Sequence, residues 1–205
     1  MLNEEIQMYD QMIRQMQAEN NDQGLIDMIR IEIMNYEKFK KQGYRTGPVS
    51  PQQFVTSAEF IAEMENNPIH RCEHVIPQAI QALTELNSDK VTKMLSELVS
   101  MQLIWIDLNI GQSVLQALIA KAGAKAVPYI KSLLKTRYPH AREAAAAALA
   151  EVEGEKAKRT LLKAIKREKN DLVKYTMLAA LDTIDHEAAR EQWKIVDKQR
   201  AKRNR

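Results

Sequence analysis

The strongest constraint on the fold is an internal repeat in the second half of the chain. Aligning AREAAAAALAEV at residues 141–152 with LVKYTMLAALDTI at residues 172–184 superposes Leu149 on Leu181 at an offset of 32. Gly123 matches Gly154 at an offset of 31, and Ala126, Ala157 and Ala188 recur at that interval. A period of about 30 residues built from two helical stretches is the pattern of a solenoid, in which each hairpin buries its apolar face only against its neighbours.

Composition agrees with helices throughout. With 6 Gly, 6 Pro and 5% aromatic residues among 205, the chain has little of the turn and strand chemistry that closes β-hairpins. Helix formers dominate instead, and 45% hydrophobic residues are enough to build a core. The longest apolar run, LIWIDLNI at residues 103–110, is broken by Asp107 and falls far short of the roughly 20 residues a membrane span needs. The lone cysteine, Cys72, has no intrachain disulfide partner, and the N-terminal MLNEEIQMYDQM is acidic and amphipathic rather than a basic export signal. A cytoplasmic protein that does not enter the membrane is expected.

Ahead of the repeats, Leu2, Ile6, Tyr9, Ile13 and Met16 fall on one helical stripe. NNDQG at residues 20–24 then makes a turn, with Asp22 as the expected cap of a second helix carrying Leu25, Ile26, Ile29, Ile33, Tyr36 and Phe39. Residues 1–42 therefore read as an antiparallel hairpin whose methionines Met8, Met12, Met16, Met28 and Met34 lend it an adaptable apolar surface, suited to core packing or to a second copy of the chain. GYRTGPVSP closes a loop at 43–51, and Ser50, Pro51 and Gln53 fit the start of a helix running to about Met64. Residues 52–205 would then be the solenoid with a basic tail. VIPQAIQALTEL at 75–86 and AVPYIKSLLK at 126–135 each place a proline near an expected helix start, and Gly111 is expected to end a long helix beginning near Asp89.

Catalytic chemistry finds little to work with. His70 and His74 share a helix face that Cys72 does not join, and His140 and His186 stand apart, short of the three or four ligands zinc takes. No phosphate-cradling glycine loop and no convincing nucleophile and base are present, so no metal, no cofactor and no enzyme are expected.

The repeat segment resembles a known family. NDLVKYTMLAAL at residues 170–181 and AREAAAAALAEVEGEKA at residues 141–157 look like the short HEAT-like repeats of phycobilisome lyase-type and related bacterial repeat proteins. The resemblance covers about residues 112–190. It implies an all-α fold, a right-handed α-solenoid of HEAT-like helical hairpins, here preceded by the N-terminal antiparallel helical hairpin. It also implies packing roles between repeats for Asp171, Val173 and Lys174, with Arg142 holding the basic position in the preceding unit, where Tyr138 and Pro139 stand in place of the acidic residue. Scaffolds, adaptors and lyase subunits all occur on this fold, so the resemblance points to a fold more than to a function.

Charge supplies the functional expectation. Residues 1–120 hold 9 Lys/Arg against 16 Asp/Glu, whereas residues 121–205 hold 21 against 11. At an offset of 31, Lys125 pairs with Lys156, Arg159 with Arg190, Lys163 with Lys194, Lys135 with Lys166 and Arg167 with Lys198. Lys156, Arg159, Lys163 and Lys166 fall on one side of their helix, opposite Ala157, Leu161, Ala164 and Ile165. This basic ladder lies on the second helices, which commonly line the concave face of a solenoid, and KQRAKRNR at 198–205 extends it. The expected function is a non-catalytic scaffold or adaptor that grips the acidic surface of a protein partner. The alternative is sequence-nonspecific nucleic-acid binding through the same face and tail. Only Tyr129, Tyr138, Tyr175 and Trp193 could stack on bases near that ladder.

Overall fold

In the computed structural model of the chain, residues 2–44, 67–86, 89–101, 105 and 108–203 are described. The expected helix from Ser50 to about Met64, and most of the expected loop before it, lie outside those residues. Every regular element among the described residues is helical, and none of these helices is long and apolar enough to cross a membrane. The chain divides into two compact units, Met1–Lys121 and Ala122–Arg205.

The first unit begins with the expected hairpin, α1 (Leu2–Ala18) and α2 (Asp22–Lys41). Its cap differs by one residue from expectation. Asn21 accepts from the Gly24 amide at 2.8 Å, while Asp22 takes the first helical position, where its charge favours the positive end of the helix dipole. Asn20 turns the chain with φ of +52°, a left-handed conformation that asparagine tolerates better than most residues.

Both hairpin helices pack on α3 (Pro68–Glu85). Asn67 caps α3 through the Ile69 amide and Pro68 stands at its start, where a missing N–H costs nothing. The helix thus starts a full turn and more before VIPQ, and Pro77 lies inside it rather than near its beginning. Then come α4 (Asp89–Ser100) and α5 (Leu108–Ala122). Gly111 does not end a helix but lies within α5. A Cβ there would sit 2.5 Å from the Trp105 ring, so glycine is what allows the indole to rest against the helix backbone. Trp105 is buried and its Nε1 donates to the Val99 carbonyl at 3.1 Å. Lys121 Nζ donates to the Leu86 carbonyl at 2.8 Å and ties the end of α5 to the end of α3.

The second unit follows the repeat closely. Gly123 and Gly154 both take positive φ, +50° and +52°, and each opens a single 3-10 turn, Gly123–Ala126 and Gly154–Ala157. These turns lead into α6 (Val127–Leu133) and α8 (Lys158–Arg167). The partner helices of the hairpins are α7 (Pro139–Glu153) and α9 (Asp171–Asp182), and α10 (His186–Arg203) closes the unit. Leu149 and Leu181 are fully buried, as are Ala126 and Ala157. In the third repeat the buried alanine is Ala189 rather than Ala188, because Asp185 replaces the glycine and caps α10 through the Ala188 amide. α7 packs directly against α9, an approach made close by its buried Ala141, Ala144, Ala145 and Ala148. The second unit is thus an all-α stack of hairpins, the solenoid arrangement expected from the repeat.

Candidate partner-binding groove

An open groove of about 650 Å³ runs between α6 and α8 in the second unit. Pro128, Lys131, Ser132, Leu134 and Lys135 come from the α6 side, and Thr160, Lys163, Ala164 and Arg167 from α8. Thr136, Arg142, Glu168 and Lys169 complete it.

Among its lining residues is a polar latch. Arg142 of α7 forms a two-pronged pair with Glu168, Nε to Oε2 at 2.6 Å and Nη2 to Oε1 at 3.0 Å, and also donates to the Thr136 carbonyl at 2.9 Å. Glu168 Oε1 further accepts from the amides of Lys169 and Asn170. Burial pushes the Glu168 carboxyl up, yet the hydrogen bonds from Arg142 and the two amides outweigh it and hold the group below the usual carboxylate range. Arg142 thus fastens α7 to the corner between α8 and α9, in keeping with the packing role that the resemblance implied for its position.

The cations around this latch fall into two sets. Lys131 is neutralised by Glu153 at 3.0 Å, and Arg142 by Glu168. Among the described residues, Lys135, Lys163, Arg167 and Lys169 line the groove with no ion-pair partner. Lys163 and Arg167 stand one helical turn apart on the same flank of α8. Ser132 and Thr136 commit their hydroxyl protons to the carbonyls of Tyr129 and Leu133, so they offer the groove acceptor capacity only.

Of the residues expected to bind a partner, Lys135, Lys163 and Arg167 are brought together here. Lys125, Lys156, Arg159, Lys166, Arg190, Lys194 and Lys198 are exposed but do not line this groove. Sequence reasoning missed Lys131 and Lys169, and placed Arg142 in repeat packing only. The signal lies in geometry: a groove is made from the trailing flank of one helix and the leading flank of the next, which are not equivalent positions in the repeat. The expected stacking residues are largely engaged within the chain. Tyr175 and Trp193 stack on each other at 5.1 Å, and the Arg137 guanidinium lies 4.9 Å from the Tyr138 ring centre.

The family model for HEAT repeats matches residues 109–182. Residues 109–182 are HEAT repeats. The groove thus lies inside the HEAT segment, between the second helices of consecutive repeats, while the match carries no information on a lyase-type subfamily. No curated protein and no solved structure matches the chain.

A second polar cluster holds the first unit together. Glu32 is fully buried in α2, and its carboxylate accepts from Tyr9 at 3.1 Å, Asn35 at 3.0 Å, Arg71 at 3.3 Å and Cys72 at 3.2 Å. Arg71 also reaches Glu5 at 3.2 Å and lies over the rings of Tyr9 and Phe39. Burial and the nearby Glu32 push the Cys72 thiol far up, so it is a hydrogen-bond donor and not a nucleophile. The neighbouring histidines are tied to carboxylates, His70 to Glu73 and His74 to Asp10, each at 3.0 Å. Among the described residues no three or more potential ligands gather around a metal position.

Proposed function

We propose that the chain is a non-catalytic scaffold or adaptor whose HEAT unit binds an acidic surface of a partner protein. HEAT repeats are commonly protein-binding scaffolds, and the family is generally non-catalytic. The observation that carries the more specific proposal is the groove between α6 and α8, where among the described residues four cations have no ion-pair partner, while Glu153 and Glu168 are taken by Lys131 and Arg142. Exposed cations gathered without counter-charges give the groove a positive potential, so such a surface favours a ligand that brings negative charge. The apolar residues Met8, Met12, Ile31 and Met34, exposed on the N-terminal hairpin, offer a separate face to a second copy of the chain.

The test is a titration of the full chain with a polyglutamate peptide, duplex DNA and single-stranded DNA across a salt series. Three proteins are compared: the parent, Lys163→Glu with Arg167→Glu, and a chain lacking residues 194–205. The proposal expects polyglutamate binding that the double substitution abolishes and the truncation leaves in place. Tight DNA binding with a steep salt slope, weakened by the truncation, would instead establish the nucleic-acid alternative.

A further inference from the structure

The two walls of the groove differ in character. On the α8 wall, Lys163 and Arg167 are exposed and unpaired among the described residues, one helical turn apart. On the α6 wall, Lys131 is neutralised by Glu153, which leaves Pro128 and Leu134 as the uncharged surface facing across. Lys135 and Lys169 stand unpaired beyond the ends of α6 and α8.

This asymmetry discriminates among acidic ligands. Exposed ion pairs contribute little each, so four cations alone would hold a partner weakly and lose it as salt rises. Burying apolar side chains against Pro128, Leu134 and Ala164 adds a contribution that salt does not screen. No aromatic side chain lines the groove, so nothing there stacks on a base. The spacing fits one backbone form in particular. Successive same-side residues of an extended chain are about 6.8 Å apart, close to the roughly 6 Å between helical positions i and i+4, the spacing of Lys163 and Arg167.

Resting on the adaptor function proposed above, we propose that the groove binds an extended segment of a partner protein in which acidic and apolar residues alternate. The carboxylates at alternate positions face Lys163 and Arg167, and the intervening apolar side chains face Pro128 and Leu134. Lys135 and Lys169 meet a further carboxylate where the segment passes the C-terminal ends of α6 and α8.

Three labelled peptides of equal length and charge state separate the possibilities by fluorescence anisotropy on the full chain at about 0.15 M salt. One alternates Asp and Leu, one alternates Asp and Ser, and one carries the residues of the first in blocks. The alternating Asp–Leu peptide is expected to bind about tenfold tighter than either other peptide. Leu134→Ser, checked for its fold by circular dichroism, is expected to erase most of that preference. Lys163→Gln with Arg167→Gln is expected to weaken all three peptides. Equal binding of the three peptides would overturn the alternating-segment proposal and leave the adaptor function standing. Absence of binding by these peptides and by polyglutamate would remove both. Duplex DNA competing more strongly than the Asp–Leu peptide, or self-association abolished by the double substitution, would assign the groove to a different occupant and overturn the proposal.

Discussion

Arg142 Nε lies 2.6 Å from Glu168 Oε2, so an arginine in the first turn of α7 closes against the residue that immediately follows α8. Both side chains are largely buried, 14% and 6% exposed, and the carboxylate is further held by two backbone amides. One pair therefore joins two consecutive HEAT repeats and lines the candidate groove.

Removing either partner leaves the other charge buried and uncompensated. Arg142→Ala or Glu168→Ala is expected to lower stability by about 3 kcal/mol, read by urea unfolding of the second unit's helices. The double substitution should cost less than the two single losses added together, as a double-mutant cycle would show.

The same pair makes stability depend on acid in a defined direction. Because the folded Glu168 carboxyl lies below its ordinary value, its stabilising contribution is present above about pH 4.3 and fades as pH falls through the lowered folded value. Thermal melts of the parent are expected to drop across that window. Arg142→Ala should show a shallower drop, and identical profiles would show that the pair does not govern it.

In the first unit, the Glu32 carboxylate has four donors around it, so Glu32→Gln introduces an amide N–H where only acceptors fit. An expected loss of about 3 kcal/mol follows from stranding Arg71 and its neighbours. Hydrogen exchange should show α1 and α2 opening more readily, since the cluster joins Tyr9 of α1 and Glu32 of α2 to Arg71 and Cys72 of α3.

Cys72 is completely buried and its thiol is pushed far above neutrality. An uncharged thiol-specific reagent is expected to leave it unmodified at neutral pH and to react fully once the chain is unfolded in denaturant. Rapid labelling of the native chain would contradict the buried position.

Gly111→Ala places a methyl group into the Trp105 ring. A cost of about 1–3 kcal/mol is expected, together with a shift in tryptophan fluorescence that reports the displaced indole.

Much of the architecture was legible without coordinates because it rests on local rules repeated in series. Gly123 and Gly154 mark the same left-handed turn at the same interval, Leu149 and Leu181 the same buried position, and the hairpin stripe of Tyr9 and Ile13 faces the core side of α1 as its spacing implied. Pro77 and Gly111 lie inside helices although proline and glycine are usual helix boundaries. At Gly111 packing overrides the preference, because Trp105 requires the absence of a side chain there.

Taken alone, the residues determined an all-α chain with a HEAT-like second half and an excess of positive charge there, because helical periodicity, repeat interval and charge are properties of the string. Only the tertiary structure decided which charges act together. Lys163 shares a groove with Lys135, while its repeat equivalent Lys194 does not line it, and Glu32 gathers Tyr9, Arg71 and Cys72 from other helices. The physical reason is the same at both places: a site forms where different flanks of different helices meet, and the angle and offset of that meeting are set by packing rather than by sequence spacing.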